Sequence, residues 1–456
     1  MAIKDIKLGT EPDGVGGDTL RSSATKTNEN FVYLDNLVAA ANKDINTANL
    51  NILDNQTRVT ALESKTDNTN TELQYNIASL LKYTKGLEDK LYQLAPYTPY
   101  HLFRDNKKIG VWFDPSDLKT LYQDSRGIKP VTKNGDPVGL ILDKSQGLEL
   151  GEELYKGFRS FVGTNFSQDS EGVLHLNGKQ TSDEYAVDLL DADKMNGKSV
   201  KVTLNMRYVE GSSKQTMGYL FEGSSTISGI PEGETHIYTT ATNLKNYFRI
   251  RSRSNDAFYL TISIKEIKGK HARQTLAAAR PTYRTDGILH WLEFDGVDDA
   301  LATGGNFTIN KGFYVCSGLS VTKYEDTAGT GAVFGAVSGI NYQRISLRGD
   351  ASARQISVSN RTSGDAKSIA IRYAYELDEK MVISGGHNTD NLLYMEKNLK
   401  DKQAELNIEL TEYKNAPITI GNNFGINFYG GVWIDSSLEL SKDIEKYFAN
   451  RTGVTI

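Results

Sequence analysis

Arginines and tyrosines at alternate positions of a short run are the part of this sequence best equipped for chemistry. In Tyr247-Phe248-Arg249-Ile250-Arg251-Ser252-Arg253, side chains two apart share one face of a strand. Tyr247, Arg249, Arg251 and Arg253 therefore face one way, and Phe248 and Ile250 face a core. Sugar recognition uses such a mixture: a flat aromatic face for the apolar side of a pyranose, and forked donors for hydroxyls and acid groups. The row suits an anionic polysaccharide, and it is also what a solvated basic strand face looks like. A second group, Tyr342 and Arg344 with Arg372, Tyr373 and Tyr375, offers the same chemistry, with core or subunit-contact tyrosines as the alternative. The glycan-binding candidates are thus Tyr247, Arg249, Arg251, Arg253, Tyr342, Arg344 and Tyr373. The chain carries 24 Tyr against 16 Phe and 3 Trp, an excess of the aromatic that keeps a polar tip.

Three acids, Asp295, Asp298 and Asp299, offer the oxygen ligands that calcium takes. The alternative is an Asp-Gly turn whose carboxylates bond their own backbone, so calcium is a possibility there and no metal site is predicted. Glycoside cleavage needs two carboxylates across a groove. Glu232 and Glu234, separated by Gly233, are the nearest pair, and a glycine between two acids is ordinary turn chemistry. No catalytic residue is predicted. Cys316 sits in an alternating run between Val315 and Ser317 and reads as a small core residue.

The elements that must position these groups fall into two kinds. From residue 31 to 94 a 3-4 apolar spacing holds over nine heptads, with Phe31, Val38, Ile45, Ile52, Val59, Thr66, Leu73, Leu80, Leu87 and Leu94 in the a positions. Without a proline until Pro96, this predicts a coiled-coil stalk of about 95 Å. Polar layers at Asn55, Thr66, Thr69 and Asn76 weaken the seam yet fix its register, and a d series that is not the leucine series of parallel dimers favours three strands. Val38, Ile45, Ile52, Val59, Leu73 and Leu80 are the trimerisation residues. After Pro96 and Pro99 the pattern turns to period-2 runs between Gly, Asn and Asp turns, the mark of antiparallel sandwiches. Phe258, Leu260, Ile262 and Ile264 share one face, as do Val200, Val202, Leu204 and Met206. Asp443 to Gly453 reads as a short helix with a glycine stop.

Composition limits the function classes. With 52 Lys+Arg against 57 Asp+Glu, the net charge is -5, which argues against a basic nucleic-acid binder and against an acidic disordered tail. One cysteine allows no disulfide within the chain. The first residues, Met1-Ala2-Ile3-Lys4-Asp5, carry no apolar export signal, and no long apolar run predicts a membrane span. No histidine pair, phosphate loop or nucleophile elbow is present.

Three stretches resemble known families. Gly17-Asp18-Thr19-Leu20-Arg21 followed by Lys26-Thr27-Asn28-Glu29-Asn30-Phe31 resembles the start of bacteriophage and tailocin tail-fibre proteins, where this end docks on the virion. Trp112-Phe113-Asp114-Pro115-Ser116-Asp117-Leu118, then Asp143-Lys144-Ser145, Lys270-His271-Ala272 and Phe294-Asp295-Gly296-Val297-Asp298-Asp299, resemble a concanavalin/LamG-like jelly roll written in two halves. The interposed segment, opening at Leu150-Gly151-Glu152-Glu153-Leu154 and closing at Ile262-Ser263-Ile264-Lys265-Glu266-Ile267, resembles an inserted carbohydrate-binding-module jelly roll.

The fold expected is mainly β: an N-terminal trimeric coiled-coil stalk followed by two antiparallel β-sandwich (jelly-roll) domains. The divisions are 1-30, a virion-attachment segment; 31-95, the stalk; 96-147 plus 269-456, the LamG-like sandwich; and 148-268, the inserted sandwich. The resemblance implies a homotrimeric receptor-binding fibre in the tail of a virion, made in the cytoplasm of a bacterial host. Residues 1-30 would hold a baseplate or fibre-network protein, and the sandwiches a host surface polysaccharide, without nucleic acid or membrane insertion. A capsule depolymerase and a structural baseplate connector are the alternatives.

Overall fold

The computed structural model describes residues 20–63, 70–94, 97–103, 108–177, 184–189, 198–220, 225–240, 247–252, 256–307, 312–323, 329–339, 341–349, 354–361, 368–388, 392–399, 401–406, 415–421, 424–436 and 442–455. It divides into two compact units, Met1–Pro96 and Tyr97–Ile456. The protein is mainly β, built of antiparallel sheets with few helices.

In the first unit helix α1 spans Leu20–Glu63 and helix α2 spans Asn70–Leu94, and the two pack on each other. Seven residue steps from Glu63 to Asn70 reach about 25 Å at most, so helices lying side by side must run antiparallel. Ala48 of α1 and Thr84 of α2 are both buried. Half-buried Ala41, Ile45, Ile52 and Asn55 on α1, and Ile77, Leu80 and Leu87 on α2, continue those two stripes at 3-4 spacing. The single rod expected over 31 to 94 is therefore corrected to a helical hairpin within one chain. The seam is periodic enough to pair with itself, and residues 64 to 69 lie outside the described residues. Ile45, Ile52 and Leu80 thus serve the hairpin, Val38 stays 44% exposed beside exposed Phe31 and Leu34, and the side chains of Val59 and Leu73 lie outside the described residues. So do residues 1 to 19 of the expected attachment segment.

The second unit holds two sandwiches. In the larger one, Gly425–Ile434 lies centrally in a sheet, between Phe313–Lys323 on one side and His290–Asp295 and Gly110–Phe113 on the other. The facing sheet runs Leu121–Tyr122, Leu140–Ile141, Ala272–Arg273, Leu301–Thr303, Ile418–Ile420, Gly329–Ser338, Asn341–Gly349, Gln355–Arg361 and Ser368–Ala374. Phe334 of this sheet meets Phe428 of the first at 5.5 Å and Phe113 at 6.4 Å, inside one apolar core that also takes Phe294 and Trp433. Cys316 is buried in a neighbouring cluster, under helix α3, Lys442–Thr452.

Residues 150 to 267 form the other sandwich around a core of their own. Ser199–Tyr208 and Phe258–Ile267 are neighbours in one sheet, and Val200, Val202, Leu204, Met206, Phe258, Leu260 and Ile264 are buried. The second sheet runs Ser225–Ser228, Met217–Leu220, Tyr247–Ser252, Glu184–Leu189 and Ser160–Val162.

Where the chain leaves the larger sandwich and returns to it, the two ends meet. The buried Asp143 carboxylate accepts N–H bonds from Trp112 at 2.9 Å, Ser145 at 2.9 Å and Lys270 at 2.8 Å. Its own N–H donates to His271 Nδ1 at 3.0 Å, a ring that burial keeps neutral by lowering its pKa to about 3. Tyr122 and Tyr238, one from each sandwich, share a hydroxyl bond of 3.0 Å, and Arg273 Nη1 donates to the Tyr238 carbonyl at 2.8 Å.

Candidate functional site

Alternation along Tyr247–Ser252 buries Phe248, Ile250 and Ser252 and leaves Tyr247, Arg249 and Arg251 half-exposed. Arg253 lies outside the described residues. Strand pairing supplies what one strand cannot. Tyr219 stands opposite Arg249 from one neighbour, while Val187 and Tyr185 stand opposite Arg249 and Arg251 from the other. Three rings therefore surround one guanidinium: the Arg249 carbon lies 4.5 Å from the Tyr219 ring centre, 5.5 Å from Tyr185 and 5.7 Å from Tyr247. Each ring presents negative π density to the cation. Arg249 makes no hydrogen bond to a described residue, and its Nε is buried without a partner. Arg251 Nη1 reaches the Tyr219 hydroxyl at 3.4 Å.

This face can stack sugar rings on tyrosine and fork an acid group with a guanidinium that the rings already hold in place. Tyr185 and Tyr219 were not among the sequence candidates. Each alternates with buried, small or apolar neighbours, Glu184-Tyr185-Ala186 and Gly218-Tyr219-Leu220, but only the pairing register brings them to Arg249.

The second candidate group divides. Tyr342 and Arg344 share the face of Asn341–Gly349 turned away from the core, with the Arg344 carbon 4.1 Å from the Tyr342 ring centre. Tyr373 stands opposite core residue Ile356, packs against the apolar core and is corrected from glycan contact to core packing, as is buried Tyr375. Parity explains it: Arg372, opposite Ser357, shares the outer face, so its odd-numbered neighbours point inward.

The acids behave as turn builders. Asp295 Oδ1 accepts from Val297 N at 2.8 Å, and Asp299 Oδ2 from Asp295 N at 2.9 Å, around Gly296 at φ 81°. The three carboxylates lie within 4.8 Å of one another and could hold a cation. Burial pushes the Asp299 carboxyl up to about 6, with repulsion from Asp295, Asp298 and Glu293 adding to it. Glu232 pairs with Lys214 at 2.9 Å and Glu234 meets His236 at 3.0 Å, a ring whose pKa is lowered by burial and by Lys201. Among the described residues no helix is long and apolar enough to cross a membrane.

No protein-family model matches the sequence, and no curated protein is detectably similar to it. Several solved structures share a distant likeness, three of them as follows. A structure of botulinum neurotoxin type C, which interacts with two ganglioside molecules to enter cells, is 12% identical, covers 40% of this chain and 50% of its own, with a TM-score of 0.30. Trypanosoma rangeli sialidase in complex with sialic acid is 10% identical over 63% of this chain and 62% of its own, TM-score 0.27. A truncated AlyQ with CBM32 and alginate lyase domains is 10% identical over 62% of this chain and 97% of its own, TM-score 0.21. The chain thus spans about half the length of the neurotoxin chain.

Proposed function

We propose that the protein is a receptor-binding tail-fibre component that attaches a phage or tailocin to host surface polysaccharide, through the tyrosine-arginine face of the inserted sandwich. The observation that carries this reading is Arg249, ringed by Tyr185, Tyr219 and Tyr247 and without a hydrogen bond to any described residue. A guanidinium held by aromatic faces with its donors uncommitted is prepared for an acidic sugar. The act is binding and not cleavage: the nearest acid pair, Glu232 and Glu234, is spent on Lys214 and His236. Residues 1-30 dock on a baseplate or fibre-network protein. The helical unit joins three copies through the open end of its seam, where Phe31, Leu34 and Val38 are exposed, and three copies multiply a weak single-site affinity.

The test is adsorption of the purified full chain to host cells and to their extracted polysaccharide, with Tyr219→Ala and the Arg249→Ala, Arg251→Ala double variant beside it. Retention without shortening of the polymer, lost in the variants at unchanged melting temperature and at a mass of three chains, is the expected result. Shortening of the polymer would make the protein a depolymerase. Equal retention by parent and variants would remove the site, and no retention at all would favour the connector.

A further inference from the structure

The larger sandwich carries a second arginine whose surroundings demand a ligand of one sign. Arg344 is only 7% exposed, on the strand face turned away from the core. Its cross-strand neighbours are small: Gly335 on one side and Ser359 on the other, with Ala370 beyond Ser359. Next along the strand, Ser346 pairs with Ser357 at 2.9 Å and Ser359 at 3.1 Å through their hydroxyls. Gly335, at φ 143°, brings backbone so near that a Cβ there would lie 2.8 Å from that of Arg344. The outcome is a trough floored by glycine, alanine and serine. Arg361 stands opposite Tyr342 at one end and Arg372 opposite Ser357 at the other.

Among the described residues, charge is unbalanced in this trough. Arg344 makes no hydrogen bond or ion pair with a described residue, and the Nε atoms of Arg344 and Arg361 are buried without partners. No Asp or Glu occupies an outward position of Asn341–Gly349, Gln355–Arg361 or Ser368–Ala374. Charged side chains are almost never buried unless paired, and burial here weakens the hold of Arg344 on its proton. The Tyr342 ring at 4.1 Å orients the guanidinium but supplies no acceptor in its plane.

We propose that this trough is an oxyanion site, which takes the carboxylate, sulfate or phosphate group of an acidic polysaccharide unit. Arg344 forks two oxygens of the group, and Arg361 and Arg372 close on it from the two ends. The site lies on a different sandwich from the attachment face and binds a charged group and not a sugar plane, so it stands or falls apart from that reading.

Calorimetric titration of the full chain tests it, with glucuronate, glucose 6-phosphate and sodium sulfate compared with glucose at matched ionic strength. The two charged sugars should bind and glucose should not, and Arg344→Gln should weaken both by roughly ten- to a hundredfold, the value of one charged hydrogen-bonded contact. Equal affinity in parent and Arg344→Gln would overturn the proposal, as would absence of binding in the parent. Sulfate binding without binding of either charged sugar would overturn the polysaccharide assignment. If Arg344→Gln fails to fold by its melting curve, exposed Arg372→Gln keeps the question open to refutation, with a loss of roughly three- to tenfold expected and an unchanged affinity against the proposal. Loss of oligomer mass in Arg344→Gln would instead assign the trough to contact with another copy of the chain.

Discussion

The two arginine-tyrosine faces use the same pair of residue types to opposite ends. Around Arg249 three rings from three adjacent strands crowd one half-exposed guanidinium, so aromatic surface dominates and the charge is an accent within it. Around Arg344 a single ring supports a buried guanidinium, and its other neighbours are glycine, alanine and serine. The first arrangement exposes π surface suited to stacking a sugar plane. The second encloses charge suited to one anionic group. Number and size of cross-strand neighbours decide between them, because outward side chains on paired strands stand about 5 Å apart.

The comparison presupposes that each face rests on its own core, and Asp143→Ala is the harshest way to break it. That carboxylate joins the ends of the larger sandwich through N–H bonds from Trp112, Ser145 and Lys270. Its removal leaves several buried donors unpaired, a loss of about 3 kcal/mol or more, or roughly 10 °C of melting temperature at this size. The loss should fall on the larger sandwich and its trough. Calorimetry should therefore resolve two transitions, with the upper one carrying the inserted sandwich. One cooperative transition, lowered as a whole, would show that the two cores melt together.

Next in size is the loss at the stacking face. Arg249→Ala with Arg251→Ala should reduce single-site affinity for an acidic host glycan by roughly ten- to a hundredfold. Phe248 and Ile250 hold the strand in its core from the other side, so its melting temperature should stay within about 1 °C. Salt should weaken the parent's adsorption and leave the variant's residual adsorption little changed.

A third pair of variants sharpens the boundary of the trough. Tyr342 and Tyr373 come from the same sequence group but stand on opposite faces of the sheet. Tyr373→Ala should cost about 2 kcal/mol by opening a space against the apolar core, without touching oxyanion affinity. Tyr342→Ala should cost about 1 kcal/mol or less and weaken oxyanion binding by releasing the guanidinium it orients. Urea denaturation read beside calorimetry separates the two. A destabilised Tyr342→Ala with unaltered affinity would make that ring a packing residue.

Much of this was legible along the chain and some was not, for physical reasons. Alternation separates Tyr247, Arg249 and Arg251 from Phe248 and Ile250 in one strand, because the side-chain period is 2 whatever the neighbours are. The recruitment of Tyr185 and Tyr219 depends on which strands become neighbours and in which register, and no local pattern encodes that. Tyr373 was grouped with Arg372 by closeness in sequence, although adjacent residues on a strand face opposite ways. The heptad pattern from Phe31 to Leu94 favours three strands in a seam, but it does not encode whether a strand comes from another chain or from the same one. Ala48 and Thr84 show the same chain filling part of it.

The smallest expected effect tests whether pH discriminates the two faces, and it comes from neither of them. Arginine keeps its proton across the physiological range, so affinity for glucuronate, which is ionised throughout, should vary little from pH 5.5 to 8. Stability should vary, because the Asp299 carboxyl is pushed up to about 6 by burial and by Asp295 and Asp298, above its ordinary 3.8. A carboxyl with a raised folded pKa binds its proton more readily in the folded chain than in the unfolded one. Between about pH 6 and 4 the folded state therefore holds more protons, and stability gained from this group rises as pH falls through that window. Asp299→Asn cannot carry the charge, yet its amide oxygen can still accept from Asp295 N, the bond the parent makes at 2.9 Å. The variant should melt roughly 2–4 °C above the parent at pH 7.5, about 1 kcal/mol after solvent screening. That advantage should fade by pH 4.5, where the parent's own carboxyl is protonated. Millimolar calcium offers a second handle, since a cation held by the three carboxylates would relieve the same repulsion in the parent and do less in the variant. An Asp299→Asn variant no more stable than the parent at pH 7.5 would mean that the hydrogen bond to Asp295 outweighs the crowding of charge.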